Sequence, residues 1–152
     1  MVLVDDADLS LVLAYHWHLV RARTKKYAMT HVYTEHGKRT TIRMHQLFLR
    51  APYGFEVDHK NENGLDNRRC NLRIASKQQN QANRGAPVNN KSGFKGVSAN
   101  GRGRWRASIF VGGKTKRVGD FDTAREAAAA YDRAALLCFG RFARLNRPKG
   151  RK

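Results

Sequence analysis

A chain of 152 residues suits one ordinary domain or two small ones. Thirty Lys and Arg against 12 Asp and Glu give a formal net charge of +18, and such a surface seeks a polyanion, nucleic acid being the commonest. Cys70 and Cys138 form no Cys-x-x-Cys pair, which argues against a structural zinc knuckle or a disulfide framework. No apolar run reaches the length of a membrane span, and the amino terminus lacks the pattern of a secretory signal, so no membrane partner and a cytoplasmic setting are expected.

In chain order, Val2-Leu3-Val4 reads as the start of a strand. Asp5, Asp6 and Asp8 then precede Leu9, Leu11, Val12 and Leu13, a short helix with acid at its positive end. From Trp17 to Met44 the pattern is strand-like: Tyr27, Met29, His31 and Tyr33 alternate with Ala28, Thr30, Val32 and Thr34, and Glu35-His36-Gly37-Lys38 is a turn. Trp17 reads as core. Met44 to Leu49 reads as a short helix stopped near Pro52. Residues 55–84 are rich in Asn, Asp and Arg, with a helix beginning near Ser76, where Gln79 three residues on completes a capping box. Residues 85–93, with Pro87, Asn89, Asn90 and Ser92, form a linker by composition.

The remainder reads as three strands and a helix. The strands are Phe94–Ser98, Arg104–Val111 and Lys114–Phe121, the last two joined by a Gly112-Gly113 hairpin turn. The helix starts at Thr123 as N-cap, with Glu126 three residues later, and stops before Gly140. Residues 148–152 are a basic tail. Charge is uneven along the chain. Residues 1–85 carry 14 basic and 8 acidic side chains, a net of +6, whereas residues 86–152 carry 16 and 4, a net of +12.

Residues 57–83 hold the chemistry. Hydrolysing a phosphodiester needs an activated water and stabilisation of the leaving oxygen, and a hard cation held by oxygen ligands serves both ends. A carboxylate, an amide oxygen and a neutral histidine can supply the protein's share. Asp58-His59, then Asn71-Leu72 twelve residues after His59, then Asn80 and Asn83 on a helix present those groups in sequence. This arrangement resembles the HNH nuclease family, whose ββα-metal motif runs D-H, N-L and a helix with a final His or Asn; His45 in Arg43-Met44-His45-Gln46-Leu47 resembles the upstream H-x-L element of phage members. The likeness extends over nearly all of residues 1–84. It implies His59 as general base, Asn71 hydrogen-bonding across the hairpin and holding the His59 ring, and Asp58 with Asn80 binding one Mg²⁺ or Mn²⁺ per site. Asn83 is the rival ligand to Asn80. Because the last position is Asn rather than His, the subtype is H-N-N, which favours magnesium and disfavours zinc. Arg68, Arg69 and Arg73 either reach phosphate or solvate the hairpin, and His45 is expected to sit beneath the site.

In the carboxy-terminal half, strand alternation places Trp105, Ala107, Ile109 and Val111 on one face and Arg104, Arg106, Ser108 and Phe110 on the other. The open face then offers Lys95, Arg102, Arg104, Arg106, Thr115 and Arg117 to DNA. Ser92-Gly93-Phe94-Lys95-Gly96-Val97, Trp105-Arg106-Ala107-Ser108-Ile109, Gly119-Asp120-Phe121-Asp122-Thr123 with the Ala-rich helix entry, and Leu145-Asn146 resemble the plant ethylene-response-factor (Apetala-two) DNA-binding domain. That family reads the major groove with its sheet, and its bacteriophage relatives are joined to HNH nucleases. Ser98, Ser108 and Phe110 depart from the plant residues, so the plant target is not implied.

The expected fold class is α+β: an amino-terminal ββα-metal nuclease domain over 1–84 with its core at about 55–84, a linker over 85–93, and a three-stranded antiparallel sheet packed on one helix over 94–147. The expected function is a metal-dependent endonuclease of the phage or homing type, acting as a monomer on double-stranded DNA in a bacterial or phage-infected cell. It nicks its substrate and needs no small-molecule cofactor. A non-catalytic DNA-binding regulator with a vestigial nuclease fold is the alternative.

Overall fold

The computed structural model describes residues 1–22 and 25–146, so the basic tail lies outside the described residues. The chain divides into two compact units, Met1–Lys77 and Gln78–Lys152.

The first unit contains α1 (Leu9–Leu13), β1 (His18–Ala22), β2 (Lys25–Tyr33), β3 (Arg39–Arg43), α2 (Met44–Phe48), β4 (Phe55–His59) and β5 (Leu72–Ser76). The first three strands form an antiparallel sheet in the order β1-β2-β3, and β4 pairs antiparallel with β5. The alternation in β2 is realised: Ala28 and Thr30 are buried, and the Thr30 hydroxyl donates to the His16 carbonyl at 2.8 Å. A small core of Ala28, Met44, Phe48 and Leu72 gathers Val4, Val12, Trp17, Leu47, Leu49 and Val57 around it. Trp17 meets its expectation as core, and its indole N–H is satisfied by the Val12 carbonyl at 2.8 Å.

One expectation in this unit is corrected. Val2 to Val4 pairs with no strand. Leu3 makes one parallel bridge to Asp66, with Leu3 N–H donating to Leu65 O and Asn67 N–H donating to Leu3 O, both at 2.8 Å. The amino terminus clips a loop because that loop, not a strand edge, presents the groups it needs. The early aspartates do precede α1 as expected, but their hydrogen bonds go elsewhere. Asp8 makes no cap bond and instead takes a fork from Arg69 at 2.7 and 2.9 Å, while Asp5 accepts from the Arg69 backbone N–H at 2.7 Å. A bidentate guanidinium outweighs a five-residue helix end.

The boundary between units falls within α3 (Lys77–Asn83), seven residues before the composition-based linker begins. The second unit continues with β6 (Val97–Ala99), β7 (Trp105–Val111), β8 (Lys114–Phe121) and α4 (Ala124–Phe139), with the sheet order β6-β7-β8. β8 has its expected bounds, whereas β6 is shorter than expected. Residues 90–94 are structured rather than linker-like: Asn90 Nδ2 donates to Phe94 O at 2.7 Å, and Ser92 Oγ to Val97 O at 2.8 Å. Those side chains hold the backbone in a turn where the apolar pattern suggests strand.

Helix α4 is capped as its sequence predicts, with Thr123 and Glu126 reciprocally bonded at 3.1 and 3.2 Å. Its Ala127, Ala128, Ala130, Tyr131 and Ala135 bury against Val97, Ala107 and Ile109. Gly96 makes this close approach possible. Its φ is +73°, and a Cβ there would stand 2.1 Å from the Tyr131 ring.

Candidate active site and nucleic-acid interface

The end of β4 carries Asp58 and His59 into the first unit, 4% and 6% exposed. Asp58 faces Arg73 across the β4–β5 pair, and the guanidinium Nε and a terminal nitrogen both lie 2.9 Å from Asp58 Oδ2. His59 sits in a wall of rings. His45, at the start of α2, is perpendicular to it with centroids 4.8 Å apart, and Tyr27 from β2 lies 6.2 Å away. Arg43 covers Tyr27 at 5.0 Å. His45 is 5% exposed and lies beside His59 as expected, and burial drops its pKa to about 3. Burial also pulls the His59 pKa below the usual histidine value, against the opposing pull of its Asn67 contact and the Asp58 charge. Both rings are therefore neutral at neutral pH, as a base must be.

The loop between β4 and β5 is built from its own polar side chains. Asn71 accepts from the Asn61 N–H at 3.1 Å and donates to Asn61 Oδ1 at 3.0 Å and to Asp66 O at 2.7 Å. Asn71 therefore bonds across the hairpin as expected, and through those bonds it braces the loop that carries the ring's neighbour. The group at the ring is Asn67, 1% exposed, whose Oδ1 lies 3.2 Å from His59 Nε2. Spacing to the motif residues gave no sign of Asn67, because its approach depends on the amino-terminal clip at Leu3. Gly64 is also required here. A Cβ on it would stand 2.4 Å from Lys26 O and 2.6 Å from the Tyr27 ring. Arg68, Arg69 and Arg73 are all engaged by acids: Asp66, Asp8 and Asp58 respectively.

Among the described residues, no three His, Cys, Asp or Glu side chains cluster as a metal site. Any cation held through Asp58 would draw its other oxygens from amides, phosphate or water. That donor chemistry fits a hard divalent ion. The expected amide ligands are both on α3, Asn83 buried and Asn80 half-buried.

In the second unit the alternation of β7 is as expected. Ala107 and Ile109 are buried, and Phe110 is 51% exposed. A bulge at Ala107/Ser108 lets Val118 reach the core while Arg117 pairs with Ser108 and Thr115 with Phe110 on the open face. The organising group on that face is Asp120, opposite Arg106. Its carboxylate takes Arg106 at 2.9 and 3.2 Å, Arg117 at 2.8 Å and Asn100 at 3.0 Å. These partners hold its carboxyl far below the ordinary carboxylate range, with the Arg106 hydrogen bonds foremost. Arg104 pairs with Asp122 at 2.8 Å, and Arg102 is exposed in the β6–β7 loop. Lys95 departs from its expected place on the open face, since its ammonium bonds to the Ala82 and Gln81 carbonyls at the end of α3. A cation at a helix carboxy terminus satisfies unpaired carbonyls. Asn146, from the Leu-Asn motif, bridges Lys95 and Asp132: its Oδ1 accepts from Lys95 N–H at 2.7 Å, and its Nδ2 donates to Asp132 at 3.0 Å.

The second unit thus carries a three-stranded sheet with a basic open face, and the first carries a buried Asp-His pair at a hairpin end. Among known families, residues 50–82 match the HNH endonuclease family and residues 92–140 match the AP2 domain. The chain is 35% identical over 98 residues to an uncharacterized HNH endonuclease of Acanthamoeba polyphaga mimivirus, covering 64% of this chain and 50% of that protein. It is 43% identical over 68 residues to dehydration-responsive element-binding protein 2A of Arabidopsis thaliana, covering 43% and 20%. It is 34% identical over 94 residues to Protein 3.8 of Escherichia phage T7, covering 61% and 77%. The chain thus joins a segment of the HNH endonuclease family, residues 50–82, to an AP2 domain, residues 92–140. It spans half the length of the mimivirus relative and a fifth of the Arabidopsis one. Residues 1–49 fall outside the HNH match.

Proposed function

We propose that the protein is a metal-dependent endonuclease that nicks duplex DNA, with the AP2 sheet binding the duplex and the HNH unit cutting it. The observation that carries this reading is the buried His59 beside Asp58 within the segment that matches the HNH family. His59 takes a proton from water, whose oxygen attacks phosphorus as the bond to the leaving 3′ oxygen breaks. Asp58 and Asn80 would hold one Mg²⁺ or Mn²⁺, with Asn83 as the rival to Asn80; when bound, the ion supplies charge stabilisation at the phosphate. Asn71 supports the site by bracing its loop. Arg102, Arg104, Arg106, Thr115 and Arg117 engage the duplex, and Lys95 fixes α3. Tethering the two activities in one chain raises the local concentration of scissile phosphate. A single centre in a monomer makes a nick, and a phage or mobile-element homing role in a bacterial cell suits such an enzyme.

A DNA-binding regulator with an inactive nuclease fold is the second reading, and one observation favours it. The Arg73 fork on Asp58 neutralises the carboxylate that a cation would need. Supercoiled plasmid decides between them. Nicking in Mg²⁺ that is lost in EDTA and in His59→Ala supports the enzyme, whereas equal DNA binding by both proteins with no nicking under any divalent cation supports the regulator.

A further inference from the structure

The amide of Asn67 is the most deeply enclosed polar side chain beside His59, and its environment is lopsided. Its Oδ1 lies 3.2 Å from His59 Nε2, while its Nδ2, also buried, has no hydrogen-bond partner. A buried amide nitrogen left without a partner is unusual, and it marks a side chain held in its place at the ring by something other than its own satisfaction. The backbone supplies that hold. Asn67 N–H donates to Leu3 O, Leu3 N–H donates to Leu65 O, and Asp66 beside it is locked by Arg68 and Asn61. The loop cannot turn the amide away from the ring without breaking this clip.

We infer that Asn67 is a positioning residue: its Oδ1 accepts from the Nε2–H of His59, so the ring proton stays on Nε2 and Nδ1 carries the lone pair that takes the proton from water. The inference rests on the nuclease reading for its use, but the tautomer itself is a property of the folded chain. Turning the amide over would put Nδ2–H against Nε2 and move the ring proton to Nδ1, so the two amide orientations correspond to the two neutral tautomers. Asn67 thereby shares the ring-orienting duty that the family resemblance implies for Asn71. The amino-terminal segment becomes part of the active site, since Leu3 sets the position of Asn67.

Long-range ¹⁵N–¹H correlation of the metal-free full chain at alkaline pH tests this, with His59 assigned by its loss in His59→Ala. Wild type is expected to show a protonated Nε2 and an unprotonated Nδ1. Asn67→Asp, which keeps an acceptor oxygen, retains that pattern. Asn67→Leu loses it to a mixture, with kcat for plasmid nicking falling ~10²-fold. Amide spectra verify that each variant is folded. A protonated Nδ1 in wild type overturns the inference whatever the variants do, as does a folded Asn67→Leu with an unchanged tautomer. Wild type that shows the expected tautomer but nicks nothing sinks the nuclease reading and leaves the tautomer assignment standing.

Discussion

At the scale of the residue, burial decides what the site's histidines can do. His59 is held below the ordinary histidine pKa chiefly by desolvation, so the acid limb of the nicking rate is expected at lower pH than a solvated histidine would give. A pH–rate profile measures it. His45 carries the larger penalty. The folded chain refuses a proton that the unfolded chain accepts at 6.5, so stability is complete above that pH and falls as the pH drops toward 3. At 1.36 kcal/mol per unit the loss reaches roughly 4–5 kcal/mol at the bottom of the window. Urea melts across that range should show this slope, and His45→Leu should flatten most of it. Gly64 tests packing in the same place. Gly64→Ala drives a methyl into the Lys26 carbonyl and the Tyr27 ring, and a cost of about 1–3 kcal/mol should appear as a lowered Tm.

At the scale of the element, the β7–β8 face depends on a residue of the wrong charge for DNA. Asp120 holds Arg106 and Arg117 at fixed positions on the sheet, at the expense of a carboxylate on an otherwise basic face. Replacing it trades order for charge. Asp120→Ala should tighten binding to random-sequence duplex and lower the preference for a selected site by about tenfold, since a well-placed bidentate arginine contributes ~1–3 kcal/mol of base discrimination. Fluorescence anisotropy with selected and random duplexes measures both. Weaker binding to random duplex would contradict this account. The capping box of α4 is simpler: Thr123→Ala should cost about 1 kcal/mol in thermal unfolding without changing the DNA sequence selected.

For the whole molecule, a net charge of +18 makes binding a matter of displaced counterions. Contact with about six phosphates predicts a slope of roughly −5 in log affinity against log salt. A flat response would remove the basic sheet from the interface.

Local rules were enough for the elements whose causes are local. The strand alternation from Tyr27 to Tyr33, the Thr123–Glu126 box, the bounds of β8 and the buried face of β7 all follow from neighbours within a few residues. So does the positive charge, which composition alone dictates. What the sequence could not reveal rests on partners far apart in the chain. Asp5 and Asp8 belong to Arg69, Leu3 to Asn67, and Asn146 to Lys95, across 51 to 64 positions. Asn71 sits in the motif, but its bonds go to Asn61 and Asp66, and the ring it was expected to hold is met by Asn67. Hydrophobic period and motif spacing record which face a side chain occupies. The hydrogen bonds of a buried polar group are settled only when packing brings its partners within 3 Å and removes the water that would otherwise serve.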